Sequence, residues 1–317
     1  MSDVILKSKA LKSVQRRHPW IFSGAIESVD GSPAAGDTVE IRDATGMRLG
    51  LGAYSPESQI TVRVWTFDPA GPVDREFFRA RLARAIESRR SLLERQDLTA
   101  CRLVNAESDG LPGLIVDRYG DCLVCQFLTA GSDRWKLDIA AVLSELWPSA
   151  SLFERSDSDS RVKEGLPLCK ALLSGREPPE LIEIREGPCA FLVDVRHGHK
   201  TGFYLDQREN RAQLAGYVSG SEVLNCFAYT GAFGVQALKA GATRAINVES
   251  SATALGLARR NAALNGIEET AFETVEGNVH TVLRSYRDAA RSFDVIILDP
   301  PKFAEARGQV MGASRGY

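Results

Sequence analysis

The chain has 317 residues, 44% of them hydrophobic and 25% charged, with a net charge of −2. That composition is ordinary for a soluble protein, and the length suits two or three domains. It excludes a global polycation, so any nucleic-acid contact has to come from local patches. Aliphatic runs of only four or five residues exclude a membrane-spanning helix, and MSDVILKSKALKSVQ lacks a signal-peptide core.

Residues 1–68 hold short β-like runs, DTVEIRDA, MRLGLGAY and ITVRVWTF, separated by Gly, Pro and Asp turns, which predict a small barrel or compact sheet. In front of them lie Lys7, Lys9, Lys12, Arg16 and Arg17, against Asp3 alone, followed by His18 and Trp20. Such a run reads as a solvated face or as an RNA contact, with cations on phosphates and rings stacked on unpaired bases.

After the linker-like FDPAGPVD, residues 69–186 read as an α+β block. REFFRARLARAIESRRSLLERQ predicts one amphipathic helix with Phe78, Leu82, Ile86 and Leu93 on its apolar stripe. Its arginine face is solvated or touches a polyanion. GLIVDRYGDCLVCQF and LIEIREGPCAFLVDV predict hairpins, and DRWKLDIAAVLSELW predicts a helix. The cysteines, Cys101, Cys122, Cys125, Cys169, Cys189 and Cys226, are scattered as reduced thiols of a cytoplasmic protein. The Cys122–Cys125 pair is read as packing, because its odd offset on a strand sends the side chains to opposite faces.

Residues 187–317 form the third block, and from 221 onward strands and helices alternate. EVLNCF, RAINVE, FETVEG and DVIILD predict strands; GAFGVQALKAG, SATALGLARRNAALNG and VHTVLRSYRDAAR predict the helices between them. This rhythm predicts a doubly wound parallel sheet, an α/β fold whose ligands sit at the carboxyl ends of the strands. Those ends carry Thr230-Gly231, Glu249, Asn278 and Asp299-Pro300-Pro301. Glu249 follows Gly231 by 18 residues, a distance at which an acid accepts hydrogen bonds from ribose hydroxyls. The loop spacing is not that of a dinucleotide-binding fingerprint.

This region resembles class I S-adenosylmethionine-dependent methyltransferases. The wider chain resembles RlmI-type enzymes, which make 5-methylcytosine in 23S rRNA, through RRHPWIFSGAI, GAYSPESQI, VWTFDP, ESDGLPGLIVDRYGD, VDVRHGHKTGFYLDQREN, VLNCFAYTGAF, DPPKF and MGASRGY. The resemblance implies an N-terminal PUA-like domain, a middle α+β domain and a Rossmann-like catalytic domain. It implies a cofactor site built from Asn225, Phe227, Tyr229, Thr230, Gly231 and Phe233, with Glu249 and Ser250 at the ribose and Asn278 at the adenine. Asn278 stands where many such enzymes have Asp; its amide oxygen still accepts a hydrogen bond. Phe203, Asp206, Gln207 and Arg208 would border the methionine end, and Lys12, Arg16, Arg17, His18 and Trp20 would meet RNA. His197 and His199 read as turn residues with no third ligand, so no metal is expected. The partner is 23S rRNA, without a membrane, and homodimerisation is left open.

Carbon 5 of cytosine is too weak a nucleophile unaided; a cysteine thiolate must first add at carbon 6. Asp299, with Pro300 and Pro301, would then hold the cytosine edge. Five cysteines precede the first strand of the sheet, and Cys226 sits in the cofactor loop. The resemblance places the nucleophile beyond residue 317, so the catalytic domain reads as incomplete, with DVIILD meant to be central. Two alternatives remain: an amino-methyltransferase using Asp299-Pro300-Pro301, against which Lys302 replaces the usual aromatic, and a non-catalytic RNA-binding protein.

Overall fold

A computed structural model describes residues 2–68, 70–301, 311 and 314. Lys302 and most of the MGASRGY motif lie outside the described residues. The chain divides into two compact units, Met1–Ile182 with Val193–Leu205, and Glu183–Leu192 with Asp206–Tyr317.

The first unit opens on a six-stranded sheet of order β2-β6-β5-β4-β1-β3. Its strands are β1 (Asp3–Leu6), β2 (Trp20–Ile21), β3 (Ile26–Asp30), β4 (Thr38–Asp43), β5 (Arg48–Tyr54) and β6 (Val62–Thr66). The predicted runs at 38–66 become β4, β5 and β6. Their alternation buries Val39, Ile41, Val62 and Val64 beside Val14 of a short helix, α1 (Leu11–Gln15).

A second sheet, order β11-β10-β9-β8-β7, joins β7 (Ala100–Asn105), β8 (Leu114–Tyr119), β9 (Cys122–Phe127), β10 (Ser151–Ser156) and β11 (Cys169–Ser174). Helices α2 (Arg75–Glu87), α3 (Arg90–Leu93), α4 (Ala130–Arg134), α5 (Lys136–Leu146) and α6 (Asp159–Val162) accompany it. The single helix expected after residue 75 is broken at Ser88-Arg89. The Ser88 hydroxyl and the Arg89 guanidinium both donate to the Ala85 carbonyl, at 2.7 and 3.0 Å, and Arg89 N turns back to Ile86 O. Side chains have taken the acceptor that the helical ladder needed. Phe78, Leu82 and Ala85 still form the buried stripe.

The second unit takes most of a hairpin, β12 (Ile182–Glu186) and β13 (Cys189–Val193). Helix α7 (Arg208–Leu214) follows, and then the predicted alternation: β14 (Glu222–Cys226), α8 (Ala232–Lys239), β15 (Arg244–Glu249), α9 (Ala252–Leu264), β16 (Phe272–Glu276), α10 (Val279–Asp288) and β17 (Val295–Leu298). All pairs are parallel, in the order β16-β15-β14-β17. One face packs Val223, Val295 and Ile297 with Leu214, Ala237 and Val218; the other packs Leu224, Ile246 and Val248 with Val279, Val282 and Tyr286. Helices therefore cover both faces, as a doubly wound fold requires. Among the described residues β17 is an edge strand, with Ile296 and Leu298 each 56% exposed.

Candidate active site

In this sheet the strand order reverses between β14 and β17. Successive crossovers there run to opposite faces and leave a crevice at the strand ends, where such folds bind ligands. The register Cys226↔Leu298 sets the loop from Phe227 beside Asp299.

The loop after β14 is held in an unusual backbone. Phe227 (φ 56°), Tyr229 (φ 48°) and Gly231 (φ 75°) are all left-handed. For residues with a Cβ that conformation costs roughly 1–3 kcal/mol each, and it persists only where the surroundings impose it. Glu249, at the end of β15, is one such constraint. Its Oε2 accepts from Tyr229 N at 3.0 Å, while Oε1 accepts from Ser250 N at 2.7 Å, Ser250 Oγ at 3.0 Å and Ser251 N at 3.1 Å. Asn261 Nδ2 holds Thr230 O at 2.9 Å, and Ala228 N donates to Val248 O at 3.0 Å. Glu249 is thus the staple of the loop as well as a strand-end acid. Gly231 is crowded from the inside: a Cβ there would stand 2.8 Å from the Phe272 ring and 2.9 Å from Ala258. Helix–strand packing demands this glycine, whatever ligand approaches it.

Among the predicted cofactor residues, Thr230 Oγ1 is buried without a hydrogen-bond partner in the described structure. A buried hydroxyl left unmatched costs free energy that a bound polar group recovers, so the loop fits a ligand with polar atoms. Asn225 behaves otherwise. It is buried, and its Nδ2 donates to Asn247 Oδ1 at 2.9 Å across the β14–β15 pair. Asn247 in turn reaches Glu273 O at 3.2 Å, and a Cβ on Gly234 would lie 2.2 Å from Asn247 Oδ1. Ser250 is exposed at the head of the β15–α9 turn. Asn278 is the N-cap of α10, its Oδ1 accepting from Thr281 N at 3.3 Å. The Phe227 ring meets His280 edge-on, 6.0 Å between centroids.

Asp206, Gln207 and Arg208 lead into α7, where Gln207 accepts from Asn210 and Arg208 from its Nε holds Glu209 at 3.0 Å. The helix is anchored by Arg211, 2% exposed, in a two-pronged pair with Glu186 at 2.6 and 2.8 Å, its guanidinium 5.9 Å from the Phe233 ring centroid. Asp206 lies near enough to Asp299 to act on its titration. Partial desolvation first, and the Asp206 charge second, raise the Asp299 pKa above its ordinary value. Pro300 and Pro301 follow as the last described residues of that turn.

Phe203 belongs to the first unit. Its backbone N donates to the Tyr119 hydroxyl at 3.2 Å; that hydroxyl pairs with Thr201 Oγ1 at 2.8 Å, and Thr201 donates to Asp117 Oδ2 at 2.6 Å. Asp117, fully buried, is balanced by Arg102 at 2.8 and 3.0 Å. Burial, then the Asp117 charge, pushes the Tyr119 pKa well up, so the phenol stays a hydrogen-bonding post. His197 faces Asp194 at 3.3 Å. No cluster of metal-binding side chains occurs among the described residues.

Five of the six thiols are shifted away from the nucleophilic thiolate form. Burial pushes Cys226 and Cys189 up to about 11 and Cys122 to about 12, and it raises Cys125 and Cys169 as well.

In the first unit Lys12, Arg16, Arg17 and His18 are exposed. Trp20, 38% exposed, donates from Nε1 to Glu107 at 2.8 Å and meets His18 and Phe22 edge-on at 5.8 and 6.5 Å. Phe22, 47% exposed, extends the row of rings and escaped the sequence reading. So did Asn261 and Asn265, whose amides hold Leu192 N at 2.8 Å and Ala190 N at 2.9 Å. The signal was there: two amides four residues apart on the apolar side of α9 had to find partners.

Known proteins match this arrangement. A family model described as a PUA-like domain matches residues 4–67, and one described as S-adenosylmethionine-dependent methyltransferase matches residues 164–313. The same fold occurs in a SAM-dependent methyltransferase from Streptococcus mutans, with 22% identity, a TM-score of 0.84, and cover of 100% of this chain and 82% of that one. A methyltransferase solved in complex with SAH aligns at a TM-score of 0.85 and 24% identity, over 97% of this chain and 78% of its own. The molecule is thus a PUA-bearing methyltransferase of the S-adenosylmethionine-dependent class. Two relatives named ribosomal RNA large subunit methyltransferase I narrow it further. The one from Shewanella amazonensis is 51% identical over 98% of this chain and 79% of its own length. The one from Aeromonas hydrophila is 53% identical over 96% and 77%. The chain belongs to the ribosomal RNA large subunit methyltransferase I family.

Proposed function

We propose that this chain is that of an enzyme methylating carbon 5 of a cytosine in 23S rRNA, with the thiolate addition at carbon 6 that this chemistry requires assigned to none of the described cysteines. The observation that carries the reading is the meeting of the stapled 227–231 loop with Asp299 at the reversal point of a methyltransferase sheet, in a chain so similar to enzymes named for large-subunit rRNA. S-adenosylmethionine, when bound, supplies an activated methyl group. Thr230, Glu249, Ser250 and Asn278 would hold its polar groups; Asp206, Gln207, Arg208, Phe227, Tyr229 and Phe233 would border it. Asn225 and Gly231 support the loop from behind. Asp299, stiffened by Pro300 and Pro301, accepts from the exocyclic amine of the target base and sets its distance from the methyl donor. The Lys12, Arg16, Arg17, His18 and Trp20 surface takes the RNA, residues 1–68 serving as its platform, 69–186 as the middle domain and 187–317 as the catalytic one. Such a substrate places the protein in the cytoplasm.

One observation favours a second reading, transfer to the exocyclic amine. That chemistry needs an acceptor such as Asp299 and no thiolate, and every described cysteine with a displaced pKa is displaced upward. Nucleoside mass spectrometry of 23S rRNA treated with the protein and S-adenosylmethionine separates the two. 5-Methylcytosine is expected; an N-methylated cytosine moves the assignment to the second reading, and an unmodified transcript removes both.

A further inference from the structure

The first unit contains a cleft of about 400 Å³ whose lining includes Arg17, Trp65, Arg81, Arg84, Glu107 and Gly110. Its cations come from places far apart in the chain. Arg17 leaves α1 with a left-handed backbone, φ 58°, whereas Arg81 and Arg84 stand three apart on one face of α2.

Most arginines around them are paired. Arg75 and Arg79 meet Glu145, Arg89 meets Asp109 at 2.7 Å, and Arg90 meets Glu87 at 2.6 Å. Among the described residues, no carboxylate pairs with Arg17, Arg81 or Arg84. Arg81 is only partly exposed, its guanidinium 4.8 Å from the Phe77 ring centroid. Among the described residues, its terminal nitrogens donate only to Gly110 O and Trp65 O, both at a long 3.4 Å. Burial, and then the charge of Arg84, lowers its pKa. Like charges brought together and partly desolvated, without a counter-ion, are unfavourable until an anion completes them.

The acids at the cleft are already engaged. Glu107 accepts from Trp20 Nε1 at 2.8 Å and lies 3.7 Å from Arg63, and Asp68 accepts from Ala70 N at 3.0 Å. Three arginines less two carboxylates leave one positive charge in the lining, the complement of a single phosphodiester. Glu107 also ties the cleft to the exposed indole of Trp20, so an anion here lies beside the row of rings.

We propose that Arg17, Arg81 and Arg84 form a subsite for one backbone phosphate of bound RNA, next to an unpaired base on the His18–Trp20–Phe22 rings. This rests on the RNA-methylating reading and extends the RNA contact onto α2, outside residues 4–67 of the PUA-like match. A guanidinium fork suits a phosphate oxygen pair better than an ammonium does.

The test is fluorescence anisotropy with the full chain and a labelled single-stranded RNA oligonucleotide across a salt series. Arg84→Ala should weaken binding about threefold to tenfold and flatten the log–log salt slope by about 0.7, the value of one lost single-strand phosphate contact. Arg81→Lys, which keeps the charge and loses the fork, should weaken binding and leave the slope in place. Arg84 is exposed, so Arg84→Ala carries the test even if Arg81 variants fail to fold. Unchanged affinity and slope in Arg81→Ala/Arg84→Ala, with the unaltered protein still binding RNA, overturns the subsite and leaves the RNA reading standing. An unaltered protein that binds no RNA at any salt overturns both. Calorimetry with inorganic phosphate and with a nucleoside monophosphate provides the remaining arm. Tight, Arg81-dependent binding of either, with the RNA slope unmoved, assigns the cleft to a free phosphate compound and overturns the RNA source.

Discussion

The loop after β14 and the ring-bearing surface around Trp20 solve recognition in opposite ways. The loop is specified by backbone: left-handed Phe227 and Tyr229, a carboxylate staple from Glu249, and the Asn261 amide on the Thr230 carbonyl. The surface is specified by side chains that stand in solvent on an ordinary sheet edge, with Trp20 oriented by a single bond to Glu107. A strained, over-determined loop suits a small ligand whose shape never changes. An exposed row of rings and cations suits a polymer whose bases and phosphates vary in position. The first should therefore fail abruptly when a support is removed, and the second by degrees.

The largest effect is expected at Arg211. Arg211→Ala leaves Glu186 buried and uncompensated, a loss of about 3–5 kcal/mol. Thermal unfolding of the second unit should show it, with Arg211→Met/Glu186→Leu recovering most of the stability; a wild-type melting curve for Arg211→Ala would dissociate α7 from the support of the site. Next comes Glu249→Ala, which should cost about 1–3 kcal/mol of S-adenosylmethionine binding by calorimetry. Glu249→Gln sharpens the point, because an amide oxygen can keep the Tyr229 staple while losing the charge. Equal losses in the two variants would make the charge, and not the staple, decisive.

Charge reversal at Lys12, Arg16 and Arg17 should act gradually, weakening RNA binding and flattening its salt dependence by about 0.7 per contact. An all-or-none loss would instead mean that this end is as tightly specified as the loop. The smallest effect is a shift in pH. Asp299 has a raised pKa, so its acceptor form develops at higher pH than that of an ordinary aspartate. Asp206→Asn removes one cause and should move the acidic limb of the methylation profile to lower pH. The same sign governs stability: the protonated carboxyl favours the folded state below the ordinary carboxylate pKa, and that contribution is lost as pH rises through the raised value. An unmoved acidic limb would separate Asp299 from Asp206.

Much of the site could be read before any coordinates, because it sits where chain-local rules operate. A buried strand must end, and its carboxyl end faces the ligand side of such a sheet, so Glu249 and Asp299 stood out as candidates, and the structure sets Glu249 at the end of β15 and Asp299 directly after β17. The helix break at Ser88-Arg89 was not legible, since it depends on Asp109, 20 residues away, holding the Arg89 guanidinium while that side chain takes the Ala85 carbonyl. Asn225 was legible only in part. A polar residue in an apolar strand at the cofactor loop suggests a ligand, and only the neighbouring strand reveals that Asn247 already occupies its amide.

The sequence by itself determined the alternation of strands and helices, the glycine-closed helices, and the order in which polar residues arrive at strand ends, because periodicity and capping are properties of neighbours along the chain. Tertiary structure alone decided that β17 lies beside β14, that Asp206 and Asp299 share an electrostatic environment, and that Arg17, Arg81 and Arg84 line one cleft with no carboxylate paired to them among the described residues. Each of these depends on which distant groups end within a few ångströms of one another, and hydrogen bonds and charge interactions are governed by that separation, which no spacing along the chain encodes.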